Sequence, residues 1–323
     1  LQYPAIAQEK GVPVVFTLHD YWLTCPRWGQ RMKQNLDLCH ELIEDQCAVC
    51  MGESSDPQFH SLITRFFRHL GLRARTATTR NLIDRRLQSV RTLTENVDLF
   101  LCPSPFLKKV FAAFGIPAQK LYYSDYGFEN SLFQKKNNAP SAQLRFAYIG
   151  TISEHKGVHV LIEAFNQLPE QSATLSIYGD LDWFSSYSNQ LKDAARSPGI
   201  TFHGAAANEL VADILSQIDV LVVPSIWFEN SPLTIHEAFL AGVPVITSNL
   251  GGMADLVTDQ VNGLLFKVGE ASDLAEKMQL LIEQPSLVEQ FQQAIPEIKS
   301  IEENSAEMVE IYHGLIEGSP ANS

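Results

Sequence analysis

From residue 144 to residue 248 the chain alternates between short runs rich in β-branched and aromatic residues and stretches with helical periodicity. The runs are LRFAYIG, ATLSIYG, ITFHG, DVLVVPS and PVITS. Between them stand GVHVLIEAFNQL, WFSSYSNQLKDAARS, NELVADILSQI and a loop and helix that end in HEAFLA. Neighbouring parallel strands need a crossover, and a right-handed crossover is normally a helix. The alternation therefore predicts an α/β fold with a doubly wound parallel sheet, whose ligands bind beyond the carboxyl ends of the strands.

At 323 residues, 45% of them hydrophobic, the chain is long enough for two domains. The front half offers two more buried strands, PVVFTLHD and VDLFLCPS, separated by a cysteine-bearing stretch and an Arg-rich one. Two strands do not make a stable sheet alone. The chain also opens at Leu1 with neither an initiating Met nor a signal-like segment. A fragment with an incomplete N-terminal domain is therefore expected. The first domain is set at 1–126, with a helix at about 303–317 packing back on it, and the second at 127–302. The linker lies near YGFEN, and the polar NNAPSAQ, residues 137–143, marks the way into the second domain.

The net charge of −13 is divided unevenly. Residues 1–125 hold 15 Lys and Arg against 12 Asp and Glu, and the remainder holds 9 against 25, which argues against nucleic acid as a partner. Arg65, Arg68, Arg73, Arg75, Arg80, Arg85, Arg86 and Arg91 meet only Asp84 within the stretch 65–91. Two readings stay open, a solvated helix face or a peripheral contact with an anionic membrane surface, aided by the interleaved Phe66, Phe67, Leu70 and Leu72. No run approaches the roughly 20 apolar residues of a spanning helix. A cytoplasmic protein, peripheral at most on the inner membrane face, is expected. Cys25, Cys39, Cys47 and Cys50 crowd one segment, and C-x2-C is the spacing that lets two thiolates reach one tetrahedral metal. The expectation is a structural zinc knuckle; the alternative is four reduced thiols in an ordinary insertion.

Two pieces carry chemistry. In SIWFENSPLTIHEAFLAGVPVITS, Ser231 is expected to cap a helix that begins at Pro232, where a missing N–H is harmless. The first N–H groups, at Leu233 and Thr234, then form an anion site at the end of a strand. Glu229 precedes that helix and Glu237 lies along it, and carboxylates accept hydrogen bonds from the hydroxyls of a sugar or ribose. The plain alternative leaves both acids on solvated surfaces. In YIGTISEHKG, Gly150 admits a close approach of backbone to ligand, and Lys156 supplies a point charge for phosphate.

FENSPLTIHEAFLAGVPVI, SNLGGMADLV, GTISEHKG, VNGLLF, PSPFLKKVFAAFGI and TLHDYWLTCPR, taken in order, resemble the retaining glycosyltransferases of family four, which have the two-domain, Rossmann-like GT-B fold. The resemblance implies transfer of a sugar from a nucleotide-diphosphate sugar to a glycan or lipid-linked acceptor, in cell-surface polysaccharide synthesis. It implies that Lys156 neutralises the donor diphosphate, aided by the backbone of Gly150 and Thr151 and the N–H groups of Leu233 and Thr234. Glu237 would hold the ribose, Glu229 the transferred sugar with Asn230 and Ser231 beside it, and His19 would line the cleft near sugar and acceptor. No catalytic metal is expected. Thr151 stands where the family often carries Arg, and Asp255 where Glu is usual. The alternatives are a GT-B sugar-nucleotide epimerase and a non-catalytic binding module with a decayed site.

Overall fold

The computed structural model describes residues 2–53, 74–135 and 140–318. The chain folds into two compact units, one made of the residues up to Ser124 together with those from Glu307 onward, the other of Asp125–Ala306.

In chain order the first unit holds α1 (Tyr3–Glu9), β1 (Val15–Thr17), α2 (Glu44–Glu53), α3 (Ala74–Glu95), β2 (Leu99–Cys102), α4 (Pro105–Phe114) and β3 (Leu121–Tyr123). The three strands form one parallel sheet in the order β1-β2-β3. Strand β3 was not expected from the sequence, because three residues with a graded burial give too short a signal. The expectation that both front strands are buried holds for β2, while β1 is half-buried and ends exposed at Thr17. Ser104 starts α4 by accepting the Leu107 N–H at 3.2 Å, and Gly115 ends it at φ 109°. Helices α2 and α3 meet through Ala48, Met51, Ile83 and Leu87. Of the arginines in the stretch 65–91, Arg65, Arg68 and Arg73 lie outside the described residues. Arg80 is paired with Glu44, Asp45 and Asp84.

The second unit continues with β4 (Leu144–Ile149), α5 (Val158–Phe165), β5 (Ala173–Tyr178), α6 (Ser185–Ala194), β6 (Ile200–Gly204), α7 (Val211–Ser216) and β7 (Val220–Val223). After these come α8 (Leu233–Leu240), β8 (Val245–Ser248), α9 (Gly251–Leu256), β9 (Gly263–Phe266), α10 (Ala271–Glu283), α11 (Ser286–Gln293) and the start of α12 (Ile301–Glu317), whose residues from Glu307 onward belong to the first unit. All six strands are parallel, in the order β6-β5-β4-β7-β8-β9. Strand β4 is central and apolar except for Arg145, with Phe146 and Ala147 fully buried. Its neighbour β7 is pinned at the amino end by Asp219, buried at 1% exposure, which accepts the Arg145 backbone N–H at 3.0 Å and its guanidinium at 3.1 Å. The strand order reverses between β4 and β7, which makes their carboxyl ends the switch point of the sheet.

The second unit begins with a strap, residues 125–130, sewn to residues 298–304. Phe128 N–H donates to the Lys299 carbonyl at 3.0 Å, and Ile301 N–H donates to the Phe128 carbonyl at 2.9 Å. Gly127 has no room for a side chain there, since a Cβ would lie 2.7 Å from the Ser300 carbonyl oxygen.

Candidate active site at the switch point of the sheet

The two pieces singled out in the sequence leave the two switch-point strands. After β4 the chain passes Gly150 and Thr151 to Lys156, and after β7 it passes Ser225 to Asn230 before α8. Close backbone approach locks these loops together. Gly157 adopts φ +71°, and a Cβ on it would stand 2.0 Å from the Pro224 carbonyl oxygen. Just before it, the His155 carbonyl accepts the Ile226 N–H at 2.9 Å. On the other side Gly252, in α9, donates its N–H to the Glu229 carbonyl at 3.0 Å, and a Cβ there would lie 1.6 Å from the Asn230 carbonyl oxygen. Glycine is required at both positions by space, and at Gly157 by backbone conformation as well.

Within this frame Lys156 Nζ donates to Glu229 Oε1 at 2.7 Å, and the Ser225 hydroxyl donates to the same oxygen at 2.7 Å. The ammonium also lies 5.3 Å from the centre of the Trp227 ring, which packs against His155 at 4.4 Å. Burial pushes the Glu229 carboxyl upward, but Lys156 and the hydrogen bonds outweigh it and hold the group below its ordinary value of 4.5. The same burial, with Lys156 beside it, pulls His155 down to about 4, so its ring is neutral at physiological pH. Glu237, half-buried on α8, is raised by burial, with His236 opposing the rise. The two acids therefore differ in kind: one is an ion-paired carboxylate, the other a carboxyl whose charge is disfavoured.

The expected cap is corrected. Helix α8 begins at Leu233, with Pro232 in the cap position and no side-chain cap hydrogen bond. Proline's φ of −68° suits the helix, but its ψ of 117° keeps it outside. Ser231 is buried, and its hydroxyl donates instead to Asp125 Oδ1 at 3.3 Å. Leu233 and Thr234 hold the first helical positions, where backbone N–H groups have no earlier carbonyl within the helix to receive them. Asn230 follows Glu229 in the turn and is half-buried, and Thr151 is exposed. His19 stands after β1, exposed, in the first unit.

The zinc expectation is not met among the described residues, where no group of three or more His, Cys, Asp or Glu side chains is placed to hold a metal ion. Cys25, Cys39, Cys47 and Cys50 are half-buried and form no disulfide. Burial first, then the nearby Cys25, Cys39 and Cys50, pushes Cys47 up to about 12. The segment is organised by Arg31, buried at 7% exposure, whose side-chain Nε donates to the Cys39 carbonyl at 3.1 Å and whose backbone N–H donates to Cys25 Sγ at 3.4 Å.

Sequence reasoning passed over Ser225, Trp227 and His155, although all three lie inside or beside the quoted pieces. It passed over Asp125 and His236 for a different reason, because their partnership spans 111 positions of sequence. It also passed over Asp180-Leu181-Asp182, an acidic D-x-D pair after β5. Asp180 Oδ1 accepts the N–H groups of Asp182 at 2.8 Å and Trp183 at 3.2 Å, which makes it a turn former.

The family profile of the glycosyl transferases group 1 matches residues 129–297. The chain belongs to the group 1 glycosyltransferases. It is 27% identical over 206 residues to the amylovoran biosynthesis glycosyltransferase AmsK of Erwinia amylovora, covering 61% of this chain and 50% of that protein. It is also 27% identical over 216 residues to the putative colanic acid biosynthesis glycosyltransferase WcaL of Escherichia coli (strain K12), covering 62% and 52%. The chain thus spans about half the length of these curated relatives. Among solved structures, Anabaena HepE in complex with UDP and glucose superposes with TM-score 0.66 at 20% identity, over 95% of this chain and 74% of that one. Sucrose-phosphate synthase from Thermosynechococcus elongatus gives TM-score 0.65 at 21% identity, over 98% and 77%. These likenesses establish the fold, an α/β architecture of parallel sheets of the GT-B class. Among the described residues no helix is long and apolar enough to cross a membrane.

Proposed function

We propose that this group 1 glycosyltransferase is a retaining enzyme that takes a sugar from a nucleotide-diphosphate donor held beyond β4 and β7. The acceptor is a glycan or lipid-linked sugar of cell-surface polysaccharide synthesis. The observation that carries the reading is the Lys156–Glu229 pair, 2.7 Å apart at the reversal of strand order, with the start of α8 beside it. A cation and helical N–H groups suit a diphosphate, and carboxylates suit hydroxyls.

In this reading Lys156, the Gly150–Thr151 backbone and the N–H groups of Leu233 and Thr234 take the charge that develops on the departing diphosphate. Glu229, with Asn230 and Ser231 around it, holds hydroxyls of the transferred sugar, and Glu237 holds the ribose. The raised Glu237 carboxyl suits that task, since burial that weakens its hydration leaves it open to ribose hydroxyls. Retention then follows from attack on the face that the leaving group vacates, with the diphosphate oxygen accepting the acceptor's proton. The protein contributes orientation and charge stabilisation, and no side chain has to act as nucleophile. His19 remains a candidate on the first unit. The relatives named for amylovoran and colanic acid synthesis favour an exopolysaccharide acceptor, and the HepE complex with UDP and glucose makes UDP-sugars the first donors to test. The Arg-rich stretch 65–91 belongs to the same reading as a peripheral contact with an anionic membrane.

The test is product stereochemistry. A full-length protein incubated with UDP-glucose and lipid-linked acceptors should form an α-linked product, read from the anomeric proton coupling. A β-linked product overturns retention, and release of free sugar without an acceptor product overturns transfer.

A further inference from the structure

His236 lies in the second turn of α8, one residue before Glu237, and is buried at 1% exposure. Its ring stacks on Phe128 at 4.9 Å with an interplanar angle of 18°. Nδ1 is 3.2 Å from the Pro232 carbonyl oxygen, and Nε2 is 3.0 Å from Asp125 Oδ2. Both partners can only accept. The ring thus bridges the carbonyl that closes the turn before α8 and a carboxylate on the strap.

Phe128 covers one face of the ring. Asp125 also reaches the other end of the segment: its Oδ1 accepts the Ser231 hydroxyl at 3.3 Å and the Tyr126 N–H at 2.8 Å. Its backbone oxygen is held by Lys299 Nζ at 3.2 Å and Asn304 Nδ2 at 3.1 Å. One carboxylate on the strap thus binds Ser231, two residues after Glu229, and His236, one residue before Glu237.

We propose that His236 is a positioning residue for the donor site, held between Asp125 and the Pro232 carbonyl so that it fixes the turn and helix carrying Glu229 and Glu237. This rests on the donor-site reading above.

Calorimetric titration with UDP at one fixed pH tests it. His236→Ala should bind UDP roughly fivefold more weakly than wild type, the equivalent of one lost hydrogen bond. His236→Gln, which can still donate to Asp125, should recover most of that affinity, and Asp125→Asn should weaken binding as His236→Ala does. His236→Ala that binds UDP as tightly as wild type, or a His236→Gln variant that recovers nothing, overturns the positioning role alone. UDP that fails to bind the wild type overturns the donor-site reading, and the positioning role with it.

Discussion

The loops of the second unit and the cysteine segment of the first both gather polar side chains but organise them differently. At the switch point, backbone meets backbone so closely that a Cβ at Gly252 would lie 1.6 Å from the Asn230 carbonyl oxygen, and the polar groups converge on one carboxylate, Glu229. In the cysteine segment one buried guanidinium, Arg31, reaches out to the carbonyls of Cys39 and His40, and burial pushes the Cys47 thiol up to about 12. A reactive site needs loops brought to one point by a rigid sheet. Residue spacing alone, such as C-x2-C, does not supply that convergence.

The contrast can be broken most severely at Gly252. Gly252→Ala puts a methyl group into backbone that cannot yield, and should cost about 4 kcal/mol by urea unfolding. A cost within experimental error of wild type would show that the loops are not locked. Next comes Lys156→Met, which leaves Glu229 buried without its partner and should cost about 3 kcal/mol. Adding Glu229→Gln should restore most of that loss, and a double variant no more stable than the single one would show that the pair is not the source. In the other region Arg31→Met should cost about 2 kcal/mol through two stranded carbonyls while leaving UDP affinity unchanged. An equal loss of UDP affinity would mean that the cysteine segment supports the site.

The smallest effect sharpens the comparison within the site. Glu229 has a lowered carboxyl, so its contribution to stability is present above the ordinary value of 4.5 and is lost as pH falls through its folded value. Glu237 has a raised one, so the stability linked to its proton is present at low pH and is lost as pH rises through its folded value. Glu229→Gln should therefore destabilise the protein at pH 7 and flatten its acid unfolding. Glu237→Gln should stabilise it at pH 7 by roughly half a kcal/mol, the relief of a partly buried charge. Thermal melts across pH would read both, and shifts of the same sign would refute the assignment of different environments.

Five of the six strands of the second unit were legible because each is a compact apolar run beside a helical stretch, while β9 was legible only through the family resemblance of VNGLLF; Lys156 and Glu229 were legible because each lies in the loop after such a run. Strand β3 was not, since Leu121–Tyr123 offers one buried residue and no alternation to measure. The cap at Ser231 was misread for a related reason. Ser-Pro before a helical stretch is a good local signal, but the hydroxyl of Ser231 bonds to Asp125, 106 positions away, and nothing local announces it. His236 is the same case, read as one more residue of an apolar helix until the strap is in place. What the sequence hides in this molecule is long-range polar pairing, and what it shows is periodicity and the residues next to strand ends.

The central claim is that the loops after β4 and β7 form a nucleotide-diphosphate site. Calorimetric titration of UDP into the purified protein tests it most directly. The account predicts saturable binding at one site per chain, lost in the folded Lys156→Met, Glu229→Gln double variant and unchanged in Cys47→Ser. UDP binding that survives the double variant undiminished would contradict it.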